Sequence, residues 1–464
     1  MRDPINVFIF RRDLRYEDNT AFNHLLMQST RKILPIFIFN PTQIHKQNNP
    51  YYSGPAVEFM IECIRDVKGI QCMVGDDIHV LETILRKHII DVVAFNNDHT
   101  PFAKARDERI QQWCVEKGIA CHMSPDYVLF DYDDIKTDGG RHYEVYTPFY
   151  KKCIKHISKV HAPIEHRHQS VTARLLTFPG CIKPDTMAPH HATPARDIKG
   201  GRTNALMILD RIKSKEFKKY DKERDYPSLN KTTRLSPYLK FGCISIREAF
   251  FASKKAYGLN HGLVRELLWR EFYAHLCWHV PRVLQGRPMR TKFDSLITWE
   301  QGPTQDEYFK KWCSGHTGFP FVDAGMRCLK TTGFLHNRLR MIVAMFLTKD
   351  LLVDWRLGER YFATQLVDYD PASNSGGWQW AASVGADAQP YYRIFNPWLQ
   401  SEKFDKDAAF IKTYVPELKQ IPAKSIHKWY QDHELFKNIG YPAPIVQHKE
   451  QTTKVLAYFT QKNQ

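Results

Sequence analysis

The apolar positions of this chain fall into two regimes. In the N-terminal third, short contiguous apolar runs alternate with longer amphipathic stretches. The runs are 5–10 (INVFIF), 33–39 (ILPIFIF) and 91–95 (DVVAF). Continuous runs of this length predict strands buried on both faces. Between them, 55–68 (PAVEFMIECIRDVK) and 77–88 carry apolar residues at helical spacing. Strands alternating with helices predict a parallel-sheet α/β domain, Rossmann-like, over residues 1–135. No G-x-G-x-x-G follows the first run, so a standard dinucleotide site is not supported there.

Residues 136–202 form the expected linker, and its second half breaks the pattern. Over 160–201, proline, histidine and glycine are frequent and periodicity vanishes, which predicts a long surface connection. Its histidines, His161, His166, His168, His190 and His191, are irregularly spaced with no acid or cysteine cluster. A solvated segment fits them better than a metal site. From 203 to 464 the spacing is helical almost throughout, notably over 263–280, 320–331, 335–352 and 356–367. Ser245-Ile-Arg-Glu248 has the form of a capping box. The expected architecture is an α/β domain, a long linker and an all-helical domain.

Charge adds a partner. The formal net charge is +16 over 464 residues. No polybasic tail concentrates it, so a folded surface must carry it. A polyanion, most simply nucleic acid, is the favoured partner, and a merely solvated basic surface is the bland alternative. Ten cysteines form no C-x-x-C pair, which fits reduced, intracellular thiols and leaves zinc or redox motifs unsupported. The N-terminal apolar run is too short for a signal sequence or a membrane span. No membrane association and no organelle address are expected.

Four stretches carry candidate chemistry. TTRLSPYLKFG (232–242) crowds Thr232, Thr233, Arg234 and Ser236 at a helix start, with Ser236 suited to the N-cap and Pro237 to the first turn. That is a ready anion site, or simply a capped helix. In ELLWREFYAHL (266–276), Glu266, Trp269 or Arg270, and Tyr273 share one helical face, which suits a base-like ligand or a solvated edge. In HNRLRMIVAMFL (336–347), Asn337, Arg340 and Met341 share a side, and DYDPASN downstream supplies Asp368, Asp370 and Asn374. An Arg–carboxylate pair is expected there, and such pairs are often structural only. NSGGWQWAAS (374–383) sets Trp378 and Trp380 on nearly opposite sides of one helical turn.

These motifs resemble the photolyase/cryptochrome family. FIFRRDLRYEDNTA, TGFPFVDAGMR, the full HNRLRMIVAMFLTKDLLVDWRLGERYF, DYDPASNSGGWQWAAS and PYYRIFNPWLQSEKFD extend the resemblance over nearly the whole chain, in family order. The branch most similar is the class I cyclobutane pyrimidine dimer photolyases. The resemblance implies an N-terminal antenna domain and a helical domain holding U-shaped FAD. Tyr220, Thr232, Thr233, Arg234, Leu235 and Ser236 would hold its phosphates and ribityl chain. Asp368, paired with Arg340, and Asp370 would lie along the isoalloxazine, and Asn374 would face N5. The implied reaction is light-driven electron transfer from FADH⁻ to a dimer flipped out of UV-damaged DNA.

By the same resemblance, Glu266 hydrogen-bonds the dimer, Trp269 and Trp380 clasp its bases, and Asn337 and Met341 line the pocket. Arg224, Arg338, Arg393 and Gln400 contact the strand. Trp378, Trp355 and Trp299 relay electrons to the flavin, with Trp312 the rival for the last place. The (6-4) branch carries two histidines where this chain has Asn337 and Met341, which argues against that chemistry. The alternatives are a blue-light photoreceptor of the same fold without repair, and a basic protein using its aromatics only to stack nucleic acid. Relatives with an antenna folate carry Asn-Glu where this chain has Phe102 and Ala103. Folate in that mode is therefore not expected, and a second chromophore of another kind stays open, with the cleft between the domains its expected place. A monomer is expected.

Overall fold

The computed structural model describes residues 3–165, 171–189, 196–388, 390 and 393–460. His166, His168, His190 and His191 lie outside them. Strands β1 (Ile5–Phe10), β2 (Ile33–Phe39), β3 (Gln71–Val74), β4 (Ile90–Asn96) and β5 (Ala120–Ser124) form one parallel sheet in the order β3-β2-β1-β4-β5. Val7 of β1 pairs with Leu34 on one side and Val93 on the other. Every residue of β1 and β2 is buried, because helices cover both faces. The strand order reverses between β1 and β4, which opens a crevice beyond their C-terminal ends.

Two strands escaped the hydrophobic pattern. β3 reads QCMV and β5 reads ACHMS, and both are edge strands with partly exposed residues. An edge strand needs no continuous apolar run. The expected helix over 335–352 is also divided. Asn337–Met345 is α-helical, and Phe346–Asp350 widens into a π turn. The turn carries buried polar groups to partners: Thr348 donates to the Ala344 carbonyl at 2.9 Å, and Asp350 meets His448 at 2.5 Å.

The 136–202 stretch holds to the body of the protein. Its helix Tyr146–Lys155 packs on the helix Gly262–His279, and bridges join Ile33 to Leu175 and Cys72 to Ile182. Beyond residue 203, every described regular element is helical. The capping box at Ser245 and Glu248 is fully formed. No described helix is long and apolar enough to cross a membrane.

The two halves share a core. Phe59 of the α/β domain packs on Tyr238 and Phe241 of the helical half, with ring centroids 5.2 and 5.6 Å apart. Buried charge adds direction to that apolar contact. Asp126, just past β5, accepts from Arg15 at 2.7 Å and from Arg247 at 2.8 Å. Arg247 belongs to the helix Ile246–Tyr257 and also donates to Asp18 at 2.8 Å. The two guanidiniums hold the Asp126 carboxyl well below the usual carboxylate range against its burial. Its contribution is therefore present above its unfolded pKa and lost only in strong acid. Asp126→Ala would leave buried Arg15 without its carboxylate and Arg247 with the carboxylate of Asp18 alone. The expected cost is about 3–5 kcal/mol, read as a lower urea midpoint at neutral pH, and an unchanged midpoint would remove this network as the tie between the halves.

Candidate active site

A cavity of about 580 Å³ opens in the helical half. Its walls come largely from residues 220–240 and from three helices: Gly262–His279, Asn337–Met345 and Pro371–Ala381. The fold brings together on these walls Tyr220, Arg224, Thr232, Thr233, Arg234, Leu235, Ser236, Glu266, Trp269, Asn337, Arg338, Arg340, Met341, Asp368, Asp370, Asn374, Trp378 and Trp380. Trp355, Trp299, Arg393 and Gln400 lie off them.

The wall from 232 to 236 departs in detail from the expected cap. Leu235, not Ser236, holds the N-cap position, without a side-chain cap bond, and the helix Ser236–Lys240 is only five residues long. Ser236 is its first residue, and its hydroxyl donates to Asp368 at 2.6 Å. Asp368 needs that donor because it is buried and shared. Arg340 reaches both its oxygens at 3.0 and 2.9 Å, and Arg340 also donates to the Leu335 carbonyl at 2.7 Å. The expected Arg340–Asp368 pair therefore exists, with one guanidinium nitrogen reaching both carboxylate oxygens. Arg234 adds a cation beside the two threonines, with a left-handed φ of 53°, uncommon for a residue with a Cβ. Its guanidinium lies 4.8 Å over the Phe334 ring.

Asn374 sits in the first turns of Pro371–Ala381, and a residue missed in the sequence aims it. Its side-chain NH₂ donates to the Glu359 carbonyl at 3.0 Å and to the Glu359 carboxylate at 2.9 Å. Both donor hydrogens are engaged there, so its amide oxygen is left to the cavity. Asp370 is the N-cap of the same helix, accepting from Ser373 N–H at 2.9 Å. It also pairs with Arg12, from the segment after β1, and accepts from Tyr127 at 2.7 Å.

The indoles separate by surroundings. Trp378 is buried, 5.0 Å from Phe362 and 6.0 Å from Trp312, edge-on to both. A Cβ on Gly358 would lie 2.2 Å from the Trp378 ring, so that glycine admits the indole against the helix Trp355–Gln365. Trp355 is fully buried and donates to Asp294 at 3.2 Å, while Trp299 is partly buried near Ile297 and Leu352. Trp269 is stacked face to face on Tyr146, centroids 3.7 Å apart. Nothing in the linker pattern marked Tyr146 as its support.

The mouth carries paired charges. Arg224 pairs with Glu266, and Arg338 pairs with Asp225 at 2.9 Å. Arg338 also lies 4.5 Å over the ring of Phe404, at the end of the helix Pro397–Phe404 that holds Gln400. Burial pushes His336 down to about 4, so it is neutral near pH 7. Asn337 is exposed and approaches the Met341 sulfur at 3.8 Å. Arg393 is exposed.

A second cavity, of about 630 Å³, lies beyond the ends of β1, β2 and β4 and reaches the helical half at Lys240, Phe241 and Tyr369. Arg12, Asn40, Asp98, Phe102 and Tyr51 are among its walls. This is the crevice at the reversal of strand order.

Comparison with known proteins agrees with this geometry. The profile described as "DNA photolyase" matches residues 6–168, and "FAD binding domain of DNA photolyase" matches 263–461. The chain belongs to the photolyase/cryptochrome family. It is similar to the deoxyribodipyrimidine photo-lyase of Alkalihalophilus pseudofirmus, 35% identical over 98% of each chain. It is also similar to the archaeal photolyase of Sulfolobus tokodaii, whose crystal structure holds two FAD molecules. That match has 39% identity, covers 98% of this chain and 100% of the other, and has a TM-score of 0.84. A bacterial class III photolyase from Agrobacterium tumefaciens has 32% identity, with 100% and 98% covered and a TM-score of 0.87.

FAD is the cofactor of this family domain, and the cavity fits it. The volume lies in the range of small-molecule sites. A Cβ on Gly377 would meet nothing within 4 Å, so that wall stands open to a ligand. Hydroxyls and guanidiniums at 232–236 and 340 supply partners for phosphates and sugar.

Glu359 gives this site a measurable titration. Burial pushes its carboxyl up to about 7 from 4.5. A raised carboxyl costs stability once ionised, so the penalty grows as pH rises from the unfolded value and is complete above the folded one. Thermal melts between about pH 5 and 8 should show a larger fall in wild type than in Glu359→Gln. The same fall in both proteins would remove Glu359 as its source.

Proposed function

We propose that this chain is a light-dependent lyase that splits cyclobutane pyrimidine dimers in UV-damaged DNA. The observation that carries the reading is one cavity with two kinds of wall. Its inner wall, Ser236, Arg340, Asp368 and Asn374, suits a flavin nucleotide. Its outer wall, Glu266, Trp269 and Trp380, suits two flipped, uncharged neighbouring bases of one strand. Bound FAD, when reduced, supplies light absorption and electron donation.

The chain's own residues do the rest. Trp269, braced by Tyr146, and Trp380 offer stacking faces, and each base–indole stack is worth about 1–3 kcal/mol. Glu266 bonds the dimer's polar edge. Met341 and Asn337 fill the pocket without a titrating group, so no imidazole acid is present at those positions. Asn374 presents an uncharged amide oxygen, held by Glu359, and so adds no negative charge beside a reduced flavin. Trp378, Trp355 and Trp299 form the relay to the surface, with Trp312 as a branch on Trp378. Arg224, Arg338, Arg393 and Gln400 meet the strand. The monomer is the working unit in this reading. Ten free thiols support an intracellular setting. The second cavity is the place for an antenna chromophore, if one binds, of a kind other than a folate held through Asn-Glu, because Phe102 lines it.

The test is repair of UV-irradiated oligothymidine by reduced protein. Dimers should disappear in light and persist in the dark, and persistence in both would favour the photoreceptor. Glu266→Ala should slow repair about tenfold or more, the scale of one lost hydrogen bond to a charged group. Trp378→Phe should slow photoreduction of oxidised protein yet leave repair by chemically reduced protein largely intact. Equal photoreduction in variant and wild type would remove Trp378 from the relay.

A further inference from the structure

Two of the arginines assigned to the DNA strand are already neutralised by acids in the cavity mouth. Arg224 is held by Glu266 and Arg338 by Asp225. The Arg224 and Glu266 side chains are 33% and 36% exposed, so the pair is half-sunk in the wall rather than out on the surface. On a chain of net charge +16, two acids placed on the strand-facing cations weaken encounter with a polyanion. That cost asks for a compensating task.

The surroundings of Glu266 suggest one. Burial pushes its carboxyl up, and Arg224 is the first influence drawing it back down. Arg265, one residue earlier on the same helix, draws it down as well, and Asp225 pushes it up. The other titratable neighbours are the phenols of Tyr146, Tyr220 and Tyr273, all held protonated by burial. Arg224 also feels the carboxylates of Asp225 and Asp221, and His336 beside it is displaced from the charged form. Ionised Glu266 therefore depends chiefly on Arg224.

We propose that Arg224 and Glu266 form a latch opened by a DNA phosphate: the guanidinium passes from carboxylate to phosphate, and the freed Glu266 takes one proton from solvent and enters the complex as an O–H donor. The exchange keeps Arg224 paired, because a phosphodiester replaces one monoanion with another. The neutral acid gains two properties that the carboxylate lacks. It donates a hydrogen bond to a pyrimidine carbonyl oxygen. It also places no negative charge beside a base that must accept an electron. Seating of the dimer then completes the desolvation of Glu266, which ties the proton to the damaged site rather than to any strand.

This inference rests on the repair reading, and one experiment separates the two. FAD-loaded protein is titrated in the dark, near neutral pH, with oligothymidine carrying one dimer, by calorimetry in buffers of different ionisation enthalpy. Wild type should take up about one proton per bound site. Glu266→Gln should take up none. Arg224→Met, which lacks the guanidinium that chiefly favours ionised Glu266, should take up less than wild type and should lose about one unit of salt slope. Preferential dimer binding with no proton uptake, or with equal uptake in Glu266→Gln, would overturn the latch and leave the repair reading standing. Equal affinity for irradiated and unirradiated strands would overturn the repair reading and the latch together.

Discussion

The site depends on one largely enclosed guanidinium. Arg12 follows β1, beyond the C-terminal edge of the sheet. It reaches Asp98 at 3.2 Å, the Lys240 carbonyl at 3.3 Å and Asp370, and it lies 4.3 Å over the Tyr127 ring. Arg270 covers the same ring at 3.5 Å. A buried cation tolerates few arrangements, because each unpaired N–H costs desolvation without return. Asp370 is at once the partner of Arg12 and the cap of the helix holding Asn374, Trp378 and Trp380. Arg12 holds its carboxyl far below the usual range. The α/β domain thus helps position a helix of the other domain through Asp370, held by Arg12 and Tyr127, and the position of the indoles follows.

This constraint explains what could be read from the chain. β1, β2 and β4 were legible because strands covered on both faces must be apolar throughout. β3 and β5 were not, since an edge strand such as ACHMS satisfies half its surface with water. The cavity walls were legible through family motifs, and the geometry gathers most of the named residues. What stayed hidden acts across long sequence distances. RRDLR gave no sign that Arg12 would meet Asp370, 358 residues on. Glu359 looked like an ordinary charge in WRLGER, and its value as the partner of Asn374 appears only when two helices meet. Ser236 has the composition of a cap, yet Asp368 outcompetes its own backbone for the hydroxyl.

The two glycines before Trp378 show the same division between local and tertiary causes. Both lie within a helix, where glycine is intrinsically unfavourable. At Gly376 a Cβ would stand 2.2 Å from the Tyr273 ring, so packing excludes any side chain. At Gly377 a Cβ would meet open space on the cavity wall, so the reason there is the ligand. The opposition of Trp378 and Trp380 follows from helical geometry, and their surroundings divide them further. Trp378 is sealed among Phe362, Trp312 and Gly358, whereas Trp380 is partly exposed at the cavity. One ring is fixed by the protein and the other is left for a partner.

The wall between the cavities joins these points. Lys240 lines both of them. Its ammonium sits 4.7 Å over Phe241 and 5.3 Å over Tyr369, and burial pushes it down to about 8. Arg12 and Asp370 stand in the same partition, one facing each side. Groups bound on the two sides are therefore held by shared residues rather than by two domains joined through a linker. The separation of the two cavities is set by this partition of paired charges and aromatic rings. A fixed separation needs a partition that cannot relax, and a buried ion pair supplies this because every alternative arrangement leaves a charge unpaired. The ion pair that helps place Asn374 and the indoles thus also helps set the geometry between the two cavities.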